Sequence, residues 1–327
     1  MLTNSQNNEI ERIYDERRRV AREKQLARSN ELREKYPVIA EIDDKIVENS
    51  LKAGRMAIMR NDDSALEELK YVNEQLVENR REFLESVGIP RNYLEDVYQC
   101  KKCKDTGIID GKRCKCYYRT IIDTFYMTDA RRELLEKQNF QNFNEELYSK
   151  ENLVLGTRKT EYELACENLG KALNFVDDFD MEYANLFIAG RVGTGKTFLA
   201  NCIAKNLMDK GKTVLYVAAT EFKQLVSDAS YGDWSTKKDA QERKEIIFDA
   251  DCVIIDDLGT EVVNSLMQSE LYALIERRDL FKKATVITSN LDMEGIRKVY
   301  SDRISSRIKN NYLCLYMPGD DNRGKQM

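Results

Sequence analysis

The rhythm of apolar positions changes along the chain. Over residues 1–36 they are sparse, with Ile10, Ile13, Val20, Leu26 and Leu32 set among dense charges of both signs. That pattern predicts a solvated helix that orders against a partner. From Pro37 the spacing tightens. Ile39, Ile42, Ile46 and Leu51 are followed, beyond the capping stretch Asn61-Asp62-Asp63-Ser64, by Leu66, Leu69, Val72, Leu76 and Phe83. Steps of three and four residues predict amphipathic helices, hence a small bundle with no chemistry of its own, closed by Gly88-Ile89-Pro90. Residues 120–180 mix helical pieces with a linker, and a helix is expected over Tyr162–Val176. From 184 onward short apolar runs alternate with helical stretches. The runs are 184–189, 213–218, 251–256, 284–289 and 312–316. This predicts βαβ units, with a parallel sheet covered by helices on both faces.

The first of these runs leads into GRVGTGKT, Gly190 to Thr197, and then into the helical Phe198-Leu199-Ala200. Strand, glycine turn, helix is the context in which G-x-x-x-x-G-K-[ST] binds phosphate. Gly190, Gly193 and Gly195 let successive N–H groups point at phosphate oxygens, and the new helix adds its positive end. Lys196 is the mobile cation for the β/γ-phosphates and Thr197 the hydroxyl for Mg²⁺. Thr194 and Phe198 complete the expected nucleotide-binding set. An ordinary glycine turn with a chance lysine is the alternative, and a second motif opposes it. Cys252-Val253-Ile254-Ile255 runs into Asp256-Asp257. A buried strand ending there places Asp256 in the Mg²⁺ shell and Asp257 where it polarises a water. At the end of the next strand, Thr288-Ser289-Asn290, ATPases of this class carry a polar residue that lies between the two motifs and contacts the γ-phosphate or the water, and Asn290 is the candidate. Arg303 and Arg307 are four apart and share a helix face. They are either surface ion-pair residues or planar forks that reach a neighbouring subunit's γ-phosphate.

Composition narrows the chemistry. The 327 residues contain no histidine, which removes imidazole bases, catalytic triads and histidine metal ligands. The net charge of -5 argues against a basic nucleic-acid coat. No apolar run approaches membrane-spanning length and the polar N-terminus has no signal core, so a cytoplasmic protein with no membrane partner is expected. Of eight cysteines, Cys166, Cys202, Cys252 and Cys314 are scattered, whereas Cys100, Cys103, Cys114 and Cys116 cluster. Two close pairs across a tight turn can offer four thiolates to Zn²⁺. Lys101, Lys102, Lys104, Lys112, Lys115 and Arg113 offset the negative centre. A redox CxxC is the competing reading, but the βαβ context for it is missing. The same basic residues, with Tyr98, Tyr117 and Tyr118, are also a possible nucleic-acid contact.

The motifs YQCKKCKDTG…CKC, GRVGTGKT, VIIDDLG, VITSN, DRISSRI and GDDNR, over residues 98–323, resemble the bacterial and phage replicative-helicase loaders of the DnaC/DnaI type. These are AAA+ ATPases. The ATPase motifs alone also fit the related IstB-type transposition helpers; the cysteine cluster joined to a helical N-terminal region favours the loaders. The resemblance implies ATP/ADP, Mg²⁺ and Zn²⁺ as cofactors. It implies a hexameric replicative helicase bound by the N-terminal region, single-stranded DNA bound by the ATPase domain, and self-association through that domain. It makes Arg307 the arginine finger, Arg303 a second arginine of the same box, and Arg323 a terminal arginine near the nucleotide. The expected fold is an α/β AAA+ P-loop domain, its parallel sheet between helices, preceded by a small helical domain with a four-cysteine zinc knuckle. The expected limits are 1–97 for the helical partner-binding region and 98–118 for the knuckle. A linker with the first ATPase helices takes 119–180, and the core 181–327. For DNA, Tyr231 and Trp234 beside Lys237 and Lys238 suit base stacking and phosphate tracking, although a surface helix with a packing tryptophan fits the same residues. Phe140 and Phe143, in the segment before the P-loop domain, are either plain core or packing for a nucleotide base.

Overall fold

The computed structural model describes residues 4–59, 63–95 and 97–322. These divide into two compact units: residues 11–112, and residues 113 onward together with the first ten. Three helices come first, α1 (Asn4–Lys35), α2 (Pro37–Met59) and α3 (Asp63–Ser86). Within the first unit, Leu32, Ile39 and Leu84 form a small apolar core closed by Tyr36, Phe83, Ile89, Tyr93 and Leu94. Asp43 of α2 pairs with Arg80 of α3 at 2.5 Å. Arg28 and Gln25 of α1 donate to the carbonyls of Tyr93 and Leu94. The charged first helix is thus ordered on its own chain along one edge, while Leu26 on another edge stays exposed. Gly88 at φ +79 terminates α3, with Ile89 N–H donating back to Leu84 O.

A two-stranded hairpin, β1 (Ile108–Ile109) and β2 (Lys112–Arg113), leads to α4 (Lys115–Ile121) and α5 (Asp129–Lys137). Then α6 (Glu161–Asp177), opened by a Thr160/Glu163 capping box, precedes the sheet. The sheet and its helices run β3 (Leu186–Gly190), α7 (Lys196–Asp209), β4 (Val214–Ala218), α8 (Ala219–Tyr231), α9 (Trp234–Asp249), β5 (Cys252–Leu258), α10 (Ser265–Leu280), β6 (Ala284–Ser289), α11 (Met293–Val299), α12 (Asp302–Asn311) and β7 (Leu313–Met317).

All five strands pair in parallel in the order β4-β5-β6-β3-β7. Alternate strand residues Leu186, Ile188, Cys252, Ile254, Val286 and Leu315 pack on Ala165, Ala172, Leu199, Ile203 and Leu207 of α6 and α7. Helices α8 and α10 cover the opposite face. The strands are near-continuous apolar runs because both faces are covered. The architecture is therefore an α/β AAA+ domain with a five-stranded parallel sheet, preceded by a helical region and a four-cysteine cluster.

Two features of this sheet position the site. Strand β6 lies between the glycine-loop strand β3 and the carboxylate strand β5, so the end of β6 stands between the two motifs. In addition, β5 carries one extra residue relative to β6. Ile255 pairs with Ile287, but Leu258 pairs with Ser289. The bulge falls on Asp256-Asp257, and Asp257 sits at φ +60. In a regular strand consecutive side chains point to opposite faces; the bulge re-aims one so that both carboxylates reach one place.

Arg278 on α10 is fully buried and has no acidic partner among its hydrogen bonds. It donates to the carbonyls of Ile247, Phe248 and Ala250 at the end of α9, to Ala284 O, and to Thr285 Oγ1. A cation against a helix C-terminus meets the negative end of the dipole and satisfies carbonyls left without intrahelical donors. Burial pushes its pKa down to about 10, so it remains charged at neutral pH.

Candidate functional site

The glycine loop leaves β3 and closes on Gly195, at φ +94, as the N-cap of α7. A Cβ on Gly190 would lie 2.5 Å from the Met317 carbonyl, and one on Gly193 would lie 2.0 Å from an oxygen of Asp321. These positions need glycine because β7 and the segment after it run against the loop. Asn322 N–H donates to Gly193 O at 3.0 Å, and Asp320 pairs with Arg191. From the other side, the buried Tyr148 hydroxyl donates to Thr194 O at 2.8 Å.

Lys196 is buried, and its Nζ donates to Arg191 O at 2.7 Å and Asn290 Oδ1 at 2.6 Å. Asn290 Nδ2 in turn donates to Asp257 Oδ1 at 2.8 Å. Thr197 Oγ1 donates to the Asp256 carboxylate, 3.2 and 3.3 Å from its two oxygens. The fully buried Thr288 hydroxyl donates to Asp256 Oδ1 at 2.6 Å and accepts Asp257 N–H at 2.8 Å. The structure thus brings Lys196, Thr197, Asp256, Asp257 and Asn290 together. It adds Thr288, whose one hydroxyl ties the Asp256 carboxylate and the Asp257 backbone to β6. The polar strand end Thr288-Ser289-Asn290 was the available signal, but nothing in the sequence singled out its first member.

Of these residues Lys196, Thr197, Asp257 and Asn290 open on a cleft of ≈ 490 Å³. Its walls include Gln138, Phe143, Leu147, Tyr148 and Phe198. Phe143 meets Phe198 edge-on at 5.9 Å. So one of the two candidate aromatics, Phe143, does reach the cleft, though buried and packed within the core as well. Tyr216 on β4 is a further neighbour. Burial, and after it the Asp256 carboxylate, raises its phenol pKa, and the Arg131 guanidinium lies 3.8 Å above its ring.

Arg303 and Arg307 both lie on α12 and neither lines the cleft. Arg307 pairs with Glu276 of α10 at 2.5 Å, while Arg303 is exposed. Arg323 lies outside the described residues. Glu261, a further acid near the motif, is buried and engaged, accepting from Gly259 N–H and the Tyr300 hydroxyl. Tyr231 and Trp234 are both more than two-thirds exposed at the turn between α8 and α9, at 75% and 78%. Lys237 is exposed nearby, and the Lys238 side chain lies outside the described residues.

The four clustered cysteines converge. The sulfur atoms of Cys100, Cys103, Cys114 and Cys116 all lie within 4.8 Å of one another. A tetrahedron of thiolates about 2.3 Å from Zn²⁺ has edges of about 3.8 Å, so the set fits that ion. The turn is prepared for it. Lys104 and Asp105 adopt φ of 51° and 53°. The fully buried Asp105 carboxylate accepts Gln99 N–H and Cys100 N–H, and Gly107 N–H points at Cys103 Sγ. Four thiolates would leave a bound ion no open coordination position, the pattern of structural rather than catalytic zinc.

Residues 168–308 match the family described as IstB-like ATP binding protein. The replicative helicase loader DnaC of Escherichia coli K12 is 25% identical over 169 residues, 50% of this chain and 68% of that protein. Among solved structures, DnaA from Aquifex aeolicus bound to AMPPCP superposes with a TM-score of 0.44 at 22% identity, over 56% of this chain and 50% of that one. A crystal structure of the DnaC helicase loader gives 0.43 at 20% identity, over 55% and 98%. This chain therefore spans about half the length of that DnaA chain. Over residues 168–308 the chain is thus similar to an ATP-binding family, and the cleft is lined by that span, the segment before it and Asn322. More particularly, its core is IstB-like and related to the DnaC-type loaders at about 25% identity over half the chain. Among the described residues no helix is long and apolar enough to cross a membrane.

Proposed function

We propose that this protein is an ATP-hydrolysing loader that places a hexameric replicative DNA helicase on DNA. The observation that carries the ATPase part is the connected set Lys196–Asn290–Asp257 and Thr197–Asp256–Thr288 at one end of a cleft of ≈ 490 Å³. Bound Mg²⁺ neutralises charge on the β- and γ-phosphates. Thr197 and Asp256 hold its shell, the loop amides and Lys196 hold the phosphates, and Asp257 accepts a hydrogen bond from the attacking water. Asn290 holds Asp257 and Lys196 in register, so that the base and the phosphate cation are set by one side chain. Arg307 and Arg303 project to the next subunit's phosphates in an assembly of this chain, and Arg323 completes the nucleotide's surroundings.

The loader part rests on the name of the DnaC relative and on the helical region joined to the cysteine cluster. In this reading the helical region binds the helicase, Zn²⁺ holds the knuckle at Cys100, Cys103, Cys114 and Cys116, and Tyr231 and Trp234 stack on single-stranded DNA in the cytoplasm. The family match over 168–308 favours a second reading, an IstB-like helper of a transposase. Co-purification decides between them. A loader retains a candidate hexameric helicase through residues 1–118 and loses it when they are removed. Retention of a transposase and no helicase would replace the first reading with the second.

A further inference from the structure

The cleft has a phosphate end, set by Gly193 to Thr197, and the base of a bound nucleotide must lie away from it. There the walls include the rings of Phe143 and Phe198, the side chain of Leu147, and the amides Gln138 and Asn144, the latter with its oxygen already accepting Glu146 N–H. Rings and a leucine grip any purine flat face and distinguish none. Gln138 is different because it is held at both ends. As the C-cap of α5, its N–H donates to Leu134 O at 2.8 Å. Its Oε1 accepts Asn201 Nδ2 at 2.6 Å. Asn201 is fully buried on α7, one helical turn beyond Thr197, so the helix that binds phosphate also orients this amide.

A carboxamide oxygen has two lone pairs and its nitrogen two hydrogens. With one lone pair taken by Asn201, Gln138 still offers one acceptor and one donor side by side. Adenine's edge presents the complement, the N6 amino donor beside a ring-nitrogen acceptor. Guanine and hypoxanthine put an O6 acceptor where that amino group would be. An oxygen pinned by Asn201 faces it without a proton between them.

We propose that Gln138, oriented by Asn201, is the residue that selects adenine over 6-oxopurines. The proposal rests on the reading of the cleft as a nucleotide site and adds the base. The test measures binding of ATP, ITP and GTP to the full chain with Mg²⁺, by displacement of a fluorescent nucleotide. A good bidentate contact discriminates by about 5- to 150-fold, so the wild type should prefer ATP over both ITP and GTP within that range. Gln138→Leu should weaken ATP by the same factor, leave ITP and GTP nearly unchanged, and bring the ratio to about one. Gln138 is only half-buried, and thermal unfolding checks that the variant folds. If it does not, the wild-type ATP-to-ITP comparison stands alone as the test. Equal binding of ATP and ITP by the wild type, or an unchanged ratio in Gln138→Leu, would overturn the assignment while leaving the nucleotide site in place. Failure of the wild type to bind any of the three would overturn the nucleotide site itself.

Discussion

Replacing Thr288 with valine removes one hydroxyl and unties both the Asp256 carboxylate and the Asp257 backbone from β6. Thr288 is fully buried and makes two hydrogen bonds, donating to Asp256 Oδ1 at 2.6 Å and accepting Asp257 N–H at 2.8 Å. The first is a bond to a carboxylate, worth about 1.5–3 kcal/mol; losing the second leaves a partly buried N–H without its acceptor, at about 1 kcal/mol or more. The bond also helps hold Asp257 at φ +60, a conformation non-glycine residues avoid. A loss of about 2.5–4 kcal/mol follows, and at roughly 2–4 °C per kcal/mol the Tm should fall by about 5–16 °C. Thr288→Ser is the control, since it keeps the hydroxyl and loses one methyl, costing about 1 kcal/mol. Thermal unfolding reads the first effect. Steady-state ATP turnover and fluorescent-nucleotide binding read the second. Valine should reduce turnover well beyond serine, with affinity changed little, because the loop amides and Lys196 stay in place. A valine variant with wild-type turnover and a Tm within about 1 °C of wild type would refute the claim that this hydroxyl organises the site.

Four other outcomes are expected. Lys196→Ala should abolish nucleotide binding, whereas Asp257→Asn should bind ATP and not hydrolyse it; normal turnover by Asp257→Asn would remove Asp257 from its role. Arg307→Ala should bind ATP but neither hydrolyse it nor assemble on DNA. Mixing it with Lys196→Ala protein should restore part of the turnover, because one mixed interface pairs an intact cleft with an intact arginine; no recovery at any ratio would place Arg307 within its own chain. Metal analysis should find one Zn²⁺ per chain, and Cys103→Ser should lose it and weaken partner binding while nucleotide affinity holds; a metal-free wild type would end the zinc reading. Arg278→Lys should destabilise the ATPase domain by about 3 kcal/mol or more in urea unfolding, since one ammonium cannot serve carbonyls on two elements and Thr285 together. Wild-type stability in that variant would show the guanidinium's bonds to be dispensable.

The parts of this protein that depend on local chain geometry are legible in its residues alone. GRVGTGKT between an apolar run and a helix can form only a narrow set of turns, and the run Cys252–Ile255 ending in two aspartates had to be a buried strand. The alternation from 184 onward gave the strands to within a residue or two, because a run buried on both faces leaves a continuous apolar signature. Close cysteine pairs across a glycine turn forecast their own convergence, as the 4.8 Å cluster shows.

The tertiary structure decided what lies between elements distant in sequence. Strand order set Asn290 between Lys196 and Asp257, and no spacing rule gives the order in which parallel strands pair. The bulge at Asp256-Asp257 appears only when β5 and β6 are laid side by side, since it is a difference in count between two strands. Tyr148 under Thr194, Asn322 on Gly193 and Gln138 against Asn201 join segments with no shared pattern. Arg278 is the clearest case. Its sequence context, Arg277-Arg278 in the last turn of α10, carries no mark that separates the two arginines, yet Arg278 is buried against the end of α9. A charge is removed from water only where several fixed acceptors converge, and their convergence is a property of the fold.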